Sequence, residues 1–321
     1  MTAPRYLVTG GAGFIGSHIA ATLLQRGDRV RVFDNLSTGR EANIAALQTF
    51  GNQVEIVRGD LRDLAAVRAA VAGVEVIFHQ AALASVPRSL ADPVASLETN
   101  VNGTQHILLA ARDAGVRRVV MASSSAVYGN APEQPKREDM TPEPLSPYAV
   151  HKLASEQLAG IFTKIFGLET VALRYFNVFG PRQDPTSEYA AVIPLFLTAL
   201  LEGRRPVVFG DGEQTRDFVY IENIAQANLL AAEAPMASGQ VMNIGGGERV
   251  SLNQLLAIAG GMLGIEVHAD YREPRPGDVR DSMADISRAR QLIGYEPRID
   301  FREGLARTLE DYRRRIESYG F

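Results

Sequence analysis

The chain of 321 residues is long enough for one large domain or two modest ones, and its hydrophobic share of 46% and charged share of 22% are typical of a globular protein. A net charge of −4 gives no electrostatic reason to expect nucleic acid or an acidic membrane as a partner. The lack of cysteine excludes disulfides, thiol catalysis and cysteine-bound metals, and the five histidines lack the spacing of metal ligands.

The first predicted strand begins within a few residues of Met1, which leaves no room for a signal peptide. No apolar run approaches the roughly 18 residues that a membrane span requires. We therefore expect a cytoplasmic protein with no membrane partner.

Short apolar runs alternate with segments of helical spacing through the first half of the chain. The runs predict six strands, at 5–9, 29–33, 54–57, 74–78, 118–122 and 169–173. Helices are predicted between them, at 17–25, 61–71, 92–114 and 148–166. This alternation is typical of βαβ units, so we predict an α/β protein with a doubly wound parallel sheet.

The pattern changes after about Phe179. Further helices are predicted near 191–202, 221–233, 251–263, 285–293 and 301–317, and short strands around 207, 241 and 267. We predict a first domain at 1–178 and a smaller C-terminal α/β lobe at 179–321, with some crossing of the chain between them. The cleft between the two is the expected site.

A glycine-rich turn, Gly10-Gly-Ala-Gly-Phe-Ile-Gly16, lies between the first strand and the first helix. Glycines at this spacing allow a tight turn and close approach of the backbone to a ligand, and the helix N-terminus attracts a pyrophosphate. Asp34, at the end of the second strand, can accept hydrogen bonds from a ribose diol and would repel a 2′-phosphate. These features predict NAD rather than NADP. Arg40 is a counter-argument unless it is a solvated residue at the start of a helix.

The segment from Ser146 to Lys152, Ser-Pro-Tyr-Ala-Val-His-Lys, carries the predicted reacting group. Ser146 is a good N-cap and Pro147 suits a first helical turn, so Tyr148 and Lys152 share one helix face. An ammonium near the phenol favours the phenolate and lowers its pKa, which suits Tyr148 to act as a general base toward a hydroxyl. The spacing alone also fits an ordinary exposed Tyr–Lys pair.

A run of hydroxyls, Ser123-Ser-Ser-Ala-Val-Tyr-Gly129, follows the fifth strand. The carboxyl ends of parallel strands line the ligand crevice, so these serines should face the same space as Tyr148. A serine there can bind a substrate oxygen and share a proton with the tyrosine. Taken alone, the run also fits a polar turn.

Five motifs occur in a fixed order along the chain: Thr9-Gly-Gly-Ala-Gly-Phe-Ile-Gly16, Asp60-Leu61, Ser123-Ser-Ser-Ala-Val-Tyr-Gly129, Ser146-Pro-Tyr-Ala-Val-His-Lys152 and Arg174-Tyr-Phe-Asn-Val-Phe-Gly180. Together they resemble the extended short-chain dehydrogenase/reductases, and among these the NAD-dependent nucleotide-sugar epimerases, over essentially the whole chain. The stretch from Gln80 to Ser89 is similar to that of bacterial UDP-N-acetylglucosamine 4-epimerases. The resemblance implies a Rossmann fold, tightly bound NAD and a UDP-sugar substrate.

The resemblance also implies roles for individual residues, with Ser124, Tyr148 and Lys152 in catalysis and no metal. The residues implied at the cofactor are Gly10, Gly13, Phe14, Ile15, Gly16, Asp34, Asn35, Asp60, Leu61, Gln80, Ala81, Ala82, Asn100, Ser123, Tyr148, Lys152 and Tyr175. Those implied at the substrate are Ala84, Ser85, Ser124, Ser125, Tyr148, Asn177, Ala191, Val192, Arg216, Arg275, Asp278 and Ser282. The arginines are expected to hold the diphosphate, which guanidinium groups suit.

The implied reaction is a reversible oxidation at one sugar carbon. Tyr148 takes the proton from O4 while C4 passes a hydride to NAD, and the 4-keto sugar then turns over and recovers the hydride on its other face. NAD is regenerated in each cycle and should stay bound. The resemblance further implies a homodimer formed by a four-helix bundle of the helices at 100–114 and 148–166. The apolar faces of these helices fit burial under the second lobe equally well.

Other reactions of related enzymes fit the sequence less well. Related 4,6-dehydratases carry an Asp-Glu pair where this chain has Ser125 and Ala126, and related decarboxylases carry a glutamate at the position of Ala126. UDP-glucuronate 4-epimerases tend to show threonine for Asn177 and arginine for Asp184, and an aspartate would repel a substrate carboxylate. A non-catalytic NAD-binding regulator would be expected to lack the serine or the Tyr–Lys pair.

Small residues stand at three positions of the implied sugar-binding wall, namely Ala84, Ala191 and Ser282. Enzymes restricted to UDP-glucose and UDP-galactose often carry a tyrosine at the position of Ser282, which would overlap an acetamido group. The sequence therefore predicts turnover of UDP-GlcNAc and UDP-GalNAc, and also of UDP-glucose and UDP-galactose. The small residues could equally serve packing alone.

Overall fold

The computed structural model describes residues 5–184, 191–274 and 280–319. Its strands are β1 (Tyr6–Thr9), β2 (Val30–Asp34), β3 (Val54–Arg58), β4 (Val76–His79), β5 (Arg118–Ser124), β6 (Glu169–Tyr175), β7 (Asn177–Phe179), β8 (Val207–Phe209), β9 (Thr215–Arg216), β10 (Phe218–Tyr220), β11 (Gln240–Ile244), β12 (Val250–Ser251) and β13 (Asp270–Arg272). Its α-helices are α1 (Phe14–Gln25), α2 (Glu41–Gln48), α3 (Leu64–Val71), α4 (Val86–Ala91), α5 (Pro93–Leu97), α6 (Gly103–Asp113), α7 (Pro147–Phe166), α8 (Val192–Leu201), α9 (Ile221–Glu233), α10 (Leu252–Leu263), α11 (Ser287–Ile293) and α12 (Phe301–Tyr319).

Seven parallel strands form the central sheet, in the order β3-β2-β1-β4-β5-β6-β11. β1 and β4 are buried along their whole length, as expected for strands covered by helices on both faces. The prediction of a doubly wound parallel sheet is thus confirmed. The strand order reverses between β1 and β4, and in open sheets of this kind ligands bind in the crevice at that point.

The strand at 240–244 belongs to this main sheet, where β11 pairs with β6. The chain therefore returns from the C-terminal part to add a strand to the sheet of the first domain. This is a crossing of the kind that we expected between the two parts. Helix α9 comes with it and packs on α1. The domain limits themselves remain a prediction.

The helix predicted at 92–114 is present as one helical run from Pro93 to Asp113, but it is not a uniform α-helix. Asp92 ends α4 and caps α5 by accepting a hydrogen bond from the Ala95 N–H at 2.9 Å, and Pro93 occupies the first turn. A π-helical turn at Glu98–Asn102 then joins α5 to α6 without a break in the helix. Such turns are frequent at functional sites, and this one carries Asn100.

The C-terminal residues pack on the end of the sheet through a shared core. Phe179 of β7, Phe218 of β10 and Phe301 of α12 have ring centroids 5.4–6.2 Å from one another. They belong to one cluster of buried apolar side chains that also contains Tyr6 and Val8 of β1 and part of α1. In the part of the chain that the structure describes, no helix is both long and apolar enough to cross a membrane.

Candidate active site

A cavity of about 630 Å³ lies at the carboxyl edge of the sheet, where β1, β2 and β4 end. Its volume is within the range of small-molecule and cofactor sites. Fourteen of the predicted site residues line it: Gly10, Gly13, Phe14, Ile15, Gly16, Asp34, Asn35, Asp60, Leu61, Gln80, Ala81, Ala82, Ala84 and Ser85. The parallel register explains this grouping, because Thr9 at the end of β1 stands beside both Phe33 and His79.

The glycine turn forms the floor of the cavity, and two of its positions tolerate no side chain. Gly10 has φ +66°, and a Cβ there would lie 2.8 Å from the backbone of Ala81. A Cβ on Gly16 would lie 2.2 Å from the Gly10 carbonyl oxygen. The turn therefore exposes bare backbone at the N-terminus of α1, and such a cradle fits a pyrophosphate.

Asp34 reaches the cavity with its carboxylate already bound to backbone. It accepts hydrogen bonds from the Ala12 N–H at 2.9 Å and the Leu36 N–H at 2.7 Å. These bonds fix the carboxylate where a ribose diol would meet it, which fits the prediction of NAD. Asn35, which directly follows β2, donates to Asp60 just beyond the end of β3, and the hydrogen bond from Arg62 lowers the pKa of the Asp60 carboxyl.

Arg40 is not the solvated residue that one interpretation of the sequence assumed. Its Nη2 lies 2.6 Å from Asp184 Oδ1, and both residues line the cavity. The ion pair compensates a positive charge that would otherwise favour a 2′-phosphate. It also compensates the charge of Asp184, so the expected repulsion of a substrate carboxylate by Asp184 is weakened.

Helix α7 begins as predicted. Ser146 caps it by accepting a hydrogen bond from the Ala149 N–H at 3.2 Å, Pro147 is its first residue, and it ends at Gly167 with φ +70°. A second serine, Ser89 of α4, accepts a hydrogen bond from the Tyr148 N–H at 3.1 Å. This hydrogen bond links the first turn of α7 to α4, which contributes Arg88 to the lining of the cavity.

Tyr148 and Lys152 share the face of α7 that packs on β5. Lys152 is 7% exposed, its ammonium donates to the Ala122 carbonyl at 2.8 Å, and its Nζ lies 5.9 Å from the centroid of the Tyr148 ring. Ser124, at the end of β5, hydrogen-bonds the Tyr148 hydroxyl. The structure thus brings the three predicted catalytic residues together.

The predicted effect of Lys152 on Tyr148 is wrong in one respect. The pKa of Tyr148 lies above its usual value because burial disfavours the phenolate, and the opposing influence is the hydrogen bond with Ser124. Burial also lowers the pKa of Lys152 to about 8, against the effect of Glu156, whose charge raises it. Spacing on a helix indicated that the two groups are neighbours, but burial decides their proton affinities.

Other predicted cofactor residues lie close by with their side chains already engaged. Ser123 is buried and donates its hydroxyl to Glu156, so only its backbone remains for a cofactor. Asn100 holds the Leu83 backbone through both its amide oxygen (2.8 Å) and its amide nitrogen (3.2 Å). Tyr175 donates to the Gln80 side chain at 3.1 Å. These hydrogen bonds hold the wall of the cavity in place, while Ser123, Asn100 and Tyr175 are not among the residues that line it.

His79 supports the same wall from beneath. Its Nδ1 lies 2.8 Å from the Thr9 hydroxyl and its Nε2 3.1 Å from that of Thr104. Burial, assisted by the charge of Lys152, lowers the pKa of His79 to about 3, so the ring is neutral at physiological pH. It therefore connects β1, β4 and α6 without adding a charge to the site.

A second group of predicted residues assembles around Thr215–Asp217. The Ser282 N–H donates to the Thr215 carbonyl at 3.2 Å, the Asn177 N–H donates to the Asp217 carbonyl at 3.0 Å, and Arg216 bonds the Arg280 carbonyl. Ser125 begins the short helical turn Ser125–Tyr128 after β5. Arg275 and Asp278 fall outside the described residues, and Ala191 and Val192 begin α8, where their role stays a prediction.

Ten residues that line the cavity were not among the predicted site residues: Phe33, Ser37, Thr38, Arg40, Asn43, Gly59, Arg88, Thr99, Arg182 and Asp184. The position of Arg182 at the cavity is evident only from the structure, in which it has φ +67° and donates to the Ser17 carbonyl at 3.1 Å. Among the described residues, no three His, Asp or Glu side chains meet as ligands for a metal ion.

Comparison with known proteins places this geometry among related enzymes. The model of the NAD dependent epimerase/dehydratase family matches residues 6–245. A UDP-glucose 4-epimerase of Mycolicibacterium smegmatis is 40% identical over 316 residues, which cover 98% of this chain and all of the relative.

Two solved structures are similar along nearly their full length. The UDP-N-acetylglucosamine 4-epimerase of Methanobrevibacter ruminantium, in complex with UDP-N-acetylmuramic acid, is 40% identical with a TM-score of 0.92, over 98% of this chain and 100% of that one. A mutant UDP-glucuronic acid 4-epimerase of Bacillus cereus, in complex with a fluorinated UDP-glucuronic acid and NAD, is 31% identical with a TM-score of 0.90, over 96% and 99%.

Replacing Gly16 by alanine should prevent the glycine turn from binding a dinucleotide. The new Cβ would collide with the Gly10 carbonyl, so the turn must shift and the dinucleotide content of the purified protein should fall by at least about 10-fold. The content can be measured from the absorbance of the supernatant after denaturation. Gly160→Ala in α7, where a Cβ meets nothing within 4 Å, is the matched control and should keep the wild-type content. Equal content in both variants would contradict the assignment.

Proposed function

Because this chain belongs to the NAD-dependent epimerase/dehydratase family, we propose that it interconverts UDP-GlcNAc and UDP-GalNAc by epimerisation at C4, and that it also accepts UDP-glucose and UDP-galactose. The chain is an NAD-dependent UDP-sugar 4-epimerase, in line with relatives of that class at 40% identity over almost the full length. The observation that carries the proposal is the meeting of Ser124, Tyr148 and Lys152 at the end of β5. The first turn of their helix is hydrogen-bonded through Ser89 to α4, which contributes Arg88 to the wall of the cavity.

The residues of the chain supply the proton chemistry of this reaction. Tyr148 takes the proton from the sugar O4 in its phenolate form, which the hydrogen bond with Ser124 favours. The chemistry that NAD would supply when bound is a reversible hydride acceptor for C4 of the sugar. NAD is regenerated in each turnover, so we expect it to stay bound through many cycles.

The proposed preference for acetylated sugars rests on the small residues of the implied sugar wall. Ala84 lines the cavity, and Ser282 is held beside Arg216 through Thr215. A relative in which UDP-N-acetylmuramic acid is bound supports a wide pocket. Neither alanine nor serine fills the volume that an acetamido group would need.

A UDP-glucuronate 4-epimerase is the second candidate. The Bacillus cereus relative supports it, and the ion pair between Arg40 and Asp184 removes part of the argument against it. Asn177 in place of threonine still speaks for a neutral sugar. Initial rates with UDP-GlcNAc, UDP-glucose and UDP-glucuronate separate these possibilities, and the highest kcat/KM with UDP-glucuronate would overturn the preference proposed above.

Tyr148→Phe should lower kcat by about 100-fold or more, because general-base catalysis contributes about 10²–10⁴ to a rate and phenylalanine cannot accept the proton. Its NAD content should not change. Tyr6→Phe, at the amino end of β1 and thus at the opposite edge of the sheet, is the control and should retain full turnover. Full activity of Tyr148→Phe would exclude this residue as the base. A wild-type chain that binds NAD but turns over no UDP-sugar would instead favour a non-catalytic regulator.

Ser282→Tyr should restrict the substrate range. The tyrosine ring would overlap the acetamido group, so kcat/KM for UDP-GlcNAc should fall by about 10-fold or more while that for UDP-glucose changes little. Ser287→Tyr, on an exposed position of α11, controls for the added bulk. An equal loss for both sugars would refute the assignment of Ser282 to the sugar wall.

We also propose a homodimer, because helices α4, α5 and α7 expose large apolar side chains together. Leu90, Val94 and Leu97 are 44–63% exposed on α4 and α5, and Val150, Ile161 and Ile165 are 48–69% exposed on α7, against which α4 and α5 pack. By contrast, Ile107 and Leu108 of α6 are fully buried within the chain, so the expected contribution of α6 is smaller than the sequence suggested.

Ile165→Glu should weaken this dimer, since a charge would be buried in an apolar interface. Light scattering after gel filtration should give the mass of two chains for the wild type and of one chain for the variant. Ile265→Glu carries the same change at another exposed isoleucine, 45% exposed, and should remain dimeric. A wild type with the mass of a single chain would refute the dimer.

A further inference from the structure

A buried charged cluster lies directly behind the catalytic helix, and the proposed reaction makes no use of it. Glu156 of α7 is 6% exposed, yet both its oxygens are occupied. Arg174 of β6 donates to it through Nε at 2.9 Å and Nη2 at 2.7 Å, and the Ser123 hydroxyl donates to it as well. Burying such a pair in place of apolar side chains brings little stability by itself.

The cluster stands one helical turn from Lys152, on the same face of α7. Lys152 and Glu156, on successive turns of α7, bind successive residues of β5. The Ala122 carbonyl accepts from Lys152, and the Ser123 hydroxyl donates to Glu156. Burial disfavours the charged form of Lys152, and Glu156 is the group whose charge favours it. Arg174 and Ser123 thus hold the carboxylate where it acts on the ammonium.

The other titratable groups around Lys152 cannot take this role. On α7 itself, Tyr148 is neutral because burial raises its pKa. On β4, His79 is neutral because burial lowers its pKa to about 3. On β6, Arg174 is positive and is paired with Glu156.

We propose that Glu156 is a positioning residue that keeps the buried Lys152 ammonium charged and seated on the Ala122 carbonyl. This inference rests on the proposed function, because the charge of Lys152 matters for turnover only if Tyr148 reacts as the base beside it. A purely structural ion pair, which only fastens α7 to β6, is the alternative. The two differ in whether loss of Glu156 changes the protonation of Lys152.

The chain contains only three lysines, Lys136, Lys152 and Lys164, so their protonation can be followed directly. We suggest labelling lysine with ¹³C at Cε, assigning the three signals with K136R and K164R, and titrating the full-length protein by NMR. Lys152 should titrate near pH 8 in the wild type and about one pH unit lower, or more, in E156Q. Lys136, which is also buried but donates to the Ala131 carbonyl, is the internal control and should not move.

E156Q leaves Arg174 buried without its counter-ion, and this variant could fold poorly. The double variant E156Q/R174M removes both charges and keeps an apolar chain over the Tyr128 ring, which Arg174 now covers at 4.8 Å. Its Lys152 midpoint should still lie below that of the wild type, although by less, because the positive charge of Arg174 is lost too. A thermal unfolding curve monitors the fold of both variants.

Turnover provides the second readout. The Lys152 ammonium favours the Tyr148 phenolate that takes the proton, so turnover should fall as pH rises through the Lys152 midpoint. The basic limb of kcat should therefore move to lower pH in both variants. An unchanged Lys152 midpoint overturns the inference, and so does a lowered midpoint with an unmoved basic limb. If the midpoint falls while Tyr148→Phe keeps full activity, the proposed function fails and the effect of Glu156 on Lys152 stands.

Discussion

The hydrogen bond from the Lys152 ammonium to the Ala122 carbonyl joins the two elements on which the site depends. It fastens helix α7 to strand β5 one residue before Ser123 and two before Ser124. Tyr148, one turn earlier on α7, is thereby held against the serine at the end of the strand. A charged group in this position is costly to bury, and the carboxylate of Glu156 one turn later offsets part of that cost.

The cavity wall is built on a similar principle, in which polar side chains bind backbone so that the cavity can keep an open shape. Asn100, in a π-helical turn, holds the backbone of Leu83, and neutral His79 links the threonines of β1 and α6. A regular α-helix through residues 98–102 would alter the direction of Asn100. The irregular turn is therefore a part of the site and not a defect of the helix.

Much of this arrangement could be predicted from local patterns. Apolar runs that end in glycine or serine located the strands of the main sheet, and the parallel order of the sheet brings their carboxyl ends to one edge. The position of β11 could not be read in this way, because its partner β6 is about 70 residues earlier and pairing across such a distance leaves no local signal. The ion pair between Arg40 and Asp184 and the bonds of Ser123 and Asn100 escaped for the same reason. The pKa of Tyr148 depends on burial, which spacing along a helix does not reveal.

The central claim is that one hydride leaves C4 of the sugar and returns to the same carbon within the protein. UDP-GlcNAc with deuterium at C4, incubated in ordinary water without added NAD, tests it most directly. The account predicts that UDP-GalNAc forms and that mass spectrometry finds the deuterium fully retained at C4. Replacement of that deuterium by solvent hydrogen would contradict the account, because it would mean that C4 is deprotonated to water and not oxidised by a retained hydride acceptor.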